Sequence, residues 1–71
     1  MNQLDPKKEW DYICSETNQL HQSNKSYLTR ELLFATQNLL TLHCKEEDIT
    51  RKSFLASLYI RIKDKYLKET Q

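Results

Sequence analysis

Cys14, His21, His43 and Cys44 are the soft metal ligands of this chain. A structural zinc site draws its ligands from pairs a few residues apart on a turn. Here Cys14 and His21 are seven apart, and His43 and Cys44 are neighbours that a helix would point ~100° apart. The spacing fits no known finger, and both cysteines read as small apolar fillers. A nucleophile–base site would need a Cys or Ser held against a His with an orienting acid, in a pocket that excludes water. His43-Cys44 is a dipeptide rather than a dyad, and Glu46, Glu47 and Asp48 form a charge run suited to a solvated turn at a helix N-terminus. The expectation is therefore a protein that is not an enzyme, with no metal, no cofactor and no small-molecule substrate.

The basic residues carry more. Arg61, Lys65 and Lys68 follow at spacings of four and three, so a helix sets them along one edge, with Phe54 on the same side earlier in the helix. Three readings of that edge are open. It is a solvated flank whose cations complement a helix C-terminus, a docking site for an acidic protein surface, or a contact for DNA. A DNA-binding domain is expected to be strongly basic, and a net charge of +1 falls short of that. The charge is unevenly spread: residues 1–50 hold five Lys/Arg against eight Asp/Glu, and residues 51–71 hold six against two.

These residues need helices to position them. Glycine is absent from the chain, which disfavours tight hairpins and phosphate-cradling loops that rely on positive φ. Asp5-Pro6 is a helix start, and Trp10, Ile13, Cys14, Thr17, Leu20 and His21 follow as a thin stripe that predicts a weakly docked helix over 6–22. The polar run 22–26 is the first loop, and Ser26 caps a second helix over 27–43. There Leu28, Leu32, Ala35, Leu39 and Leu42 form a heptad-like seam. Lys45-Glu46-Glu47-Asp48 is a connector short enough to fold the next helix back antiparallel. Thr50 is the expected cap of a helix over 51–68, with Ile49 and Phe54 as its staple and Leu55, Leu58, Tyr59, Ile62 and Tyr66 as its core arc. The fold class is all-α: one three-helix domain whose hairpin core joins the leucine seam to that arc.

Two apolar lines are left over. Leu33 and Leu40 lie well around the second helix from the seam, and Ile60 and Leu67 lie roughly 120–140° from the core arc of the third. A chain of 71 residues buries only about 60% of its unfolded surface. Surplus apolar surface on so small a domain predicts a homodimer through Leu33, Leu40, Ile60 and Leu67. No apolar run approaches a bilayer span, and Met1–Asp5 lacks the features of a secretory signal, so the expected place is the cytoplasm, with reduced thiols and no membrane partner.

The run Arg30-Glu31-Leu32-Leu33-Phe34-Ala35, then Asn38-Leu39-Leu40, then Ile49-Thr50-Arg51-Lys52-Ser53-Phe54-Leu55-Ala56-Ser57-Leu58 and Ile62-Lys63, resembles the YmgB/AriR biofilm-development family of small enterobacterial regulators. The resemblance covers about residues 28–63. It implies an all-helical homodimer tied to biofilm formation, acid resistance and a two-component phosphorelay, with DNA binding proposed for some members. The combined expectation is a regulator that docks an acidic protein surface through Phe54, Arg61, Lys65 and Lys68. Direct DNA binding is the alternative, and a helical chaperone or inhibitor of one specific protein is a third.

Overall fold

The computed structural model describes residues 4–22 and 25–70. Ser23 and Asn24 of the expected first loop, and Met1, Asn2 and Gln3 of the stretch read for a signal, lie outside the described residues. Three helices account for nearly all of what is described: α1 (Pro6–Gln22), α2 (Tyr27–Lys45) and α3 (Ile49–Glu69). Asp5 opens α1, its Oδ1 accepting from the Lys7 amide at 3.2 Å. Ser26 caps α2 by accepting from the Thr29 amide at 3.2 Å, as its position predicts.

The third cap differs from expectation. Asp48, not Thr50, is the residue before the first helical turn of α3, and its carboxylate accepts from the Arg51 amide at 2.9 Å. Glu46 accepts from the Asp48 amide at 3.1 Å, so two of the three acids of the connector serve the start of α3. A carboxylate also favours the positive end of the helix dipole, which a threonine hydroxyl does not. Ile49 and Phe54 are both exposed and form no staple. Lys52 instead ties the hairpin, its ammonium donating to the His43 carbonyl at 2.6 Å and the Glu46 carbonyl at 3.4 Å, which satisfies acceptors left open at the end of α2.

The helices run up, down and up. Glu9 meets Tyr59 and Glu16 meets Tyr66, so α1 and α3 are parallel, and α2 lies antiparallel to both. The core is Ile13, Leu33, Leu40, Tyr59 and Tyr66, with Leu4, Trp10, Tyr12, Leu20, Leu32 and Leu39 packed around it. The first helix buries Ile13 fully but packs on α2 more sparsely than α3 does, as its thin stripe predicts.

On α2 the line expected outside is the more deeply buried one, while the expected seam keeps Leu32 and Leu39 against the core and leaves its ends outside. Leu33 and Leu40, expected at a dimer interface, are 2% and 0% exposed inside the chain's own core. Leu28 and Leu42, the ends of the expected core seam, are 51% and 52% exposed. The reason lies in the threonines: Thr29, Leu33, Thr36, Leu40 and His43 make one continuous buried row. Thr36 returns its hydroxyl to the Leu32 carbonyl at 2.7 Å and Thr29 shares its own with Ser26 at 2.8 Å, so each presents a methyl inward with its polar atom satisfied. Their small volume leaves room opposite for Tyr59 and Tyr66, the largest buried side chains.

This ordering makes a direct prediction. Leu40→Ala is expected to cost about 2–5 kcal/mol in urea unfolding, as core truncations do, whereas Phe34→Ala on the exposed flank of the same helix is expected to stay within about 0.5 kcal/mol. Equal losses at the two positions would show that the buried row has been misassigned.

Candidate docking surface and the clasp behind it

No Cα of α1 comes within 8 Å of one in α3 among the described residues, so long side chains span the gap. Tyr59 donates to Glu9 at 2.5 Å and Tyr66 to Glu16 at 2.8 Å. Lys63 donates to the same Glu9 oxygen at 2.8 Å, and its ammonium sits 4.6 Å above the ring of Tyr12. Tyr12 keeps its hydroxyl buried with no hydrogen-bond partner.

Electrostatics hold this cluster together as a clasp. Burial pushes the Tyr12 hydroxyl up to about 12, helped by the nearby charges of Glu16 and Glu9. Burial, then the hydrogen bond to a carboxylate, pushes Tyr59 and Tyr66 further still above the ordinary tyrosine value. Burial alone would raise Glu9, but the hydrogen bonds from Lys63 and Tyr59 and the charge of Lys63 outweigh it, and the carboxyl lies below its ordinary value. Tyrosines held protonated and a carboxyl held ionised offer neither a base at the phenols nor an acid at Glu9 near neutral pH.

The sequence reading missed this cluster, although a signal was present. Glu9 and Glu16 are seven apart, as are Tyr59 and Tyr66, so two parallel helices present matching rungs.

The residues singled out for chemistry are dispersed. Cys14 and Cys44 are exposed free thiols, which corrects their reading as apolar fillers. His21 is exposed, while His43 is buried with Nδ1 unpartnered, its pKa held below the ordinary value by burial and by the charge of Lys52. Among the described residues no group of three or more His, Cys, Asp or Glu side chains could hold a metal ion.

The expected partner-binding residues do come together. Phe54, Leu58, Arg61, Lys65 and Lys68 follow at spacings of four and three on α3, and all lie about 140–180° from Lys63, which faces α1. Leu28, Ala35 and Leu42 on α2 lie about 140–180° from Gln37, which donates to Thr17 of α1 at 3.1 Å. Both rows therefore occupy the side of the hairpin turned away from α1. Phe54 is 63% exposed there, and Leu32, Leu39, Leu55, Leu58 and Ile62 are half-buried in the valley between the helices.

At one end the valley opens into a cleft floored by Leu28 and Leu32 and rimmed by Lys65, Lys68 and Glu69. Lys68 also pairs with Asp64 at 3.3 Å, an exposed contact of small worth. Ile60 and Leu67 lie elsewhere. They are exposed but line a shallow cleft beside Leu4 and Glu9 on the α1 side, so the four residues expected at one dimer interface are split between core and opposite surface.

Comparison with protein-family models, with curated proteins and with solved structures finds no match to this chain.

The clasp sets an acid limit on stability. Glu9 has a lowered folded pKa, so its contribution is complete above the ordinary value of 4.5 and is lost as pH falls through the folded value. Urea midpoints are expected to fall on acidification below that value in the wild type and to fall less in Glu9→Gln. An acid limb of unchanged depth in the variant would remove Glu9 from the account.

Proposed function

We propose that the chain is a small, non-enzymatic cytoplasmic regulator that acts by binding protein through the outer face of its α2–α3 hairpin. The observation that carries this is the apolar valley on that face, continuous from Leu28 to Leu42 and from Phe54 to Ile62, lying beside Arg61, Lys65 and Lys68. Isolated exposed leucines are ordinary, but a continuous strip along two helices marks an interaction site. A helix that offers an apolar row flanked by carboxylates complements it in both shape and charge. The likeness of residues 28–63 to the YmgB/AriR family supports a place in biofilm and stress control, as a connector to a phosphorelay or transcriptional regulator. Among the described residues no helix is long and apolar enough to cross a membrane, in keeping with a cytoplasmic role.

Direct DNA binding through the basic row is the second reading, favoured by the run of three cations along one exposed edge. Phe54 and Leu58 continue that row where a phosphate-tracking surface would place further cations, which is why protein is preferred.

Complementation of a deletion strain tests the reading. The wild-type gene is expected to restore biofilm mass and acid survival, and Leu42→Glu with Phe54→Glu to restore neither at equal protein level. Full restoration by the variant would rule the face out. A gel shift whose affinity drops steeply between two salt concentrations would move the function to DNA.

A further inference from the structure

We infer that the cleft where α2 begins and α3 ends is a binding site for a medium-chain alkyl carboxylate, a fatty acid of about ten carbons. The cleft encloses about 310 Å³ between Leu28 and Leu32 of α2 and Lys65, Lys68 and Glu69 of α3. That volume stands at the lower end of small-molecule sites, which begin at roughly 300 Å³. At about 30 Å³ for a water-sized group, it holds roughly ten methylenes.

The floor calls for an aliphatic chain. Leu28 is 51% exposed and Leu32 is half-buried beside it, so covering both removes apolar surface from water. Leu32 lies inside α2, where main-chain amides and carbonyls are spent within the helix. An extended peptide laid there would leave its own amides unpaired, whereas an alkyl chain has none to satisfy.

The rim calls for one negative charge. Lys68 shares its ammonium with Asp64 at 3.3 Å, while Lys65 has no ion pair among the described residues. Leu28 is the second residue of α2, and that helix has no acid in its first turn, so the positive end of its dipole adds to Lys65. Glu69 stands on the same rim and opposes a second negative charge. A carboxyl group, ionised near neutral pH, carries the single charge that this balance accepts, and a phosphate dianion exceeds it. The cleft on the α1 side is the internal contrast: Leu4, Ile60 and Leu67 give it apolar walls, but its lysine, Lys63, is held by Glu9 at 2.8 Å. The site is about 21 Å along α2 from Leu42, and it does not rest on the reading of the outer face as a protein-binding surface.

Sodium decanoate, kept below its micellar concentration, is titrated into the full chain at pH 8, with heat and amide NMR shifts as readouts and circular dichroism to confirm that each variant folds. The wild type is expected to bind one decanoate, with shifts centred on Leu28, Leu32, Lys65 and Lys68. Affinity is expected to rise about threefold per methylene from hexanoate to decanoate and to level off at dodecanoate. At equal chain length, 1-octanol and octyl phosphate are each expected to bind at least fivefold more weakly than octanoate. Lys65→Gln with Lys68→Gln, both at exposed positions, is expected to weaken decanoate about tenfold and leave octanol unchanged, and Glu69→Gln to strengthen decanoate about threefold. Octanol that matches octanoate, or a lysine pair whose loss changes nothing, overturns the anion site. Octyl phosphate that binds more tightly overturns the carboxylate. Shifts of equal size around Ile60 and Leu67 show adsorption to any apolar surface and overturn the cleft, and the absence of heat and shifts at millimolar decanoate overturns the inference outright. Leu42→Glu with Phe54→Glu, at the far end of the valley, is expected to bind decanoate as the wild type does, so failure of that variant in the deletion strain bears on the proposed function alone. Loss of decanoate binding in that variant overturns the placement of the ligand.

Discussion

Two tyrosine hydroxyls bound for the interior set the terms for the rest of the molecule. Tyr59 and Tyr66 are almost wholly buried, and a phenol taken out of water without an acceptor gives back part of what its ring gains. Glu9 and Glu16 are those acceptors, and both stand on α1. The two rungs have the same spacing on both helices, so they fix α1 parallel to α3 in a single register. They also hold the two backbones apart, since a tyrosine–carboxylate bridge is longer than an aliphatic contact. Ile13 fills the space on the α1 side, and the threonine-lined row of α2 fills it opposite.

The elements were legible in the sequence because their signals are local. Asp5-Pro6 and Ser26 mark helix starts through short-range hydrogen bonds, and the structure keeps both. The cap of α3 was misplaced by two residues because Asp48 and Thr50 are both competent cappers, and the choice fell to Glu46, whose carboxylate holds the Asp48 amide. The interior was less legible. Hydropathy ranks the all-aliphatic line of Leu28, Leu32, Ala35, Leu39 and Leu42 above one interrupted by Thr29, Thr36 and His43. What decides is volume across the core, and two tyrosines need small neighbours. That information lies on another helix, out of reach of any scan along α2 alone. The row of Phe54, Arg61, Lys65 and Lys68 was legible for the opposite reason, since exposure of one edge of one helix needs no knowledge of its neighbours.

Burying Leu33 and Leu40 and leaving the ends of the seam outside moves the surplus apolar surface without removing it. A domain of this size has room for one well-filled row per helix, and on α2 the tyrosines claim the threonine row. The longer aliphatic line is then half out of the molecule, shared with the edge of α3 that carries Phe54. Apolar surface thus remains outside the core after Leu33 and Leu40 are buried, and it lies beside the basic row.

The fate of the cations sharpens this further. Lys63 is spent on Glu9 and Lys52 on the carbonyls that end α2, so part of the excess positive charge of residues 51–71 is tied up inside the fold. Arg61 and Lys65 have no ion pair among the described residues and stand on the outer row. Because α1 covers the opposite side of the hairpin, the clasp that holds α1 and the apolar strip of the outer face share no side chain. Weakening the clasp with acid therefore acts on the seat of α1 and on the packing of Tyr59 and Tyr66, on the side of the hairpin away from the outer strip. The fold draws its core from one side of the α2–α3 hairpin, so substitutions on the outer row, at Phe54, Arg61, Lys65 or Lys68, fall at exposed positions and leave that core as it was.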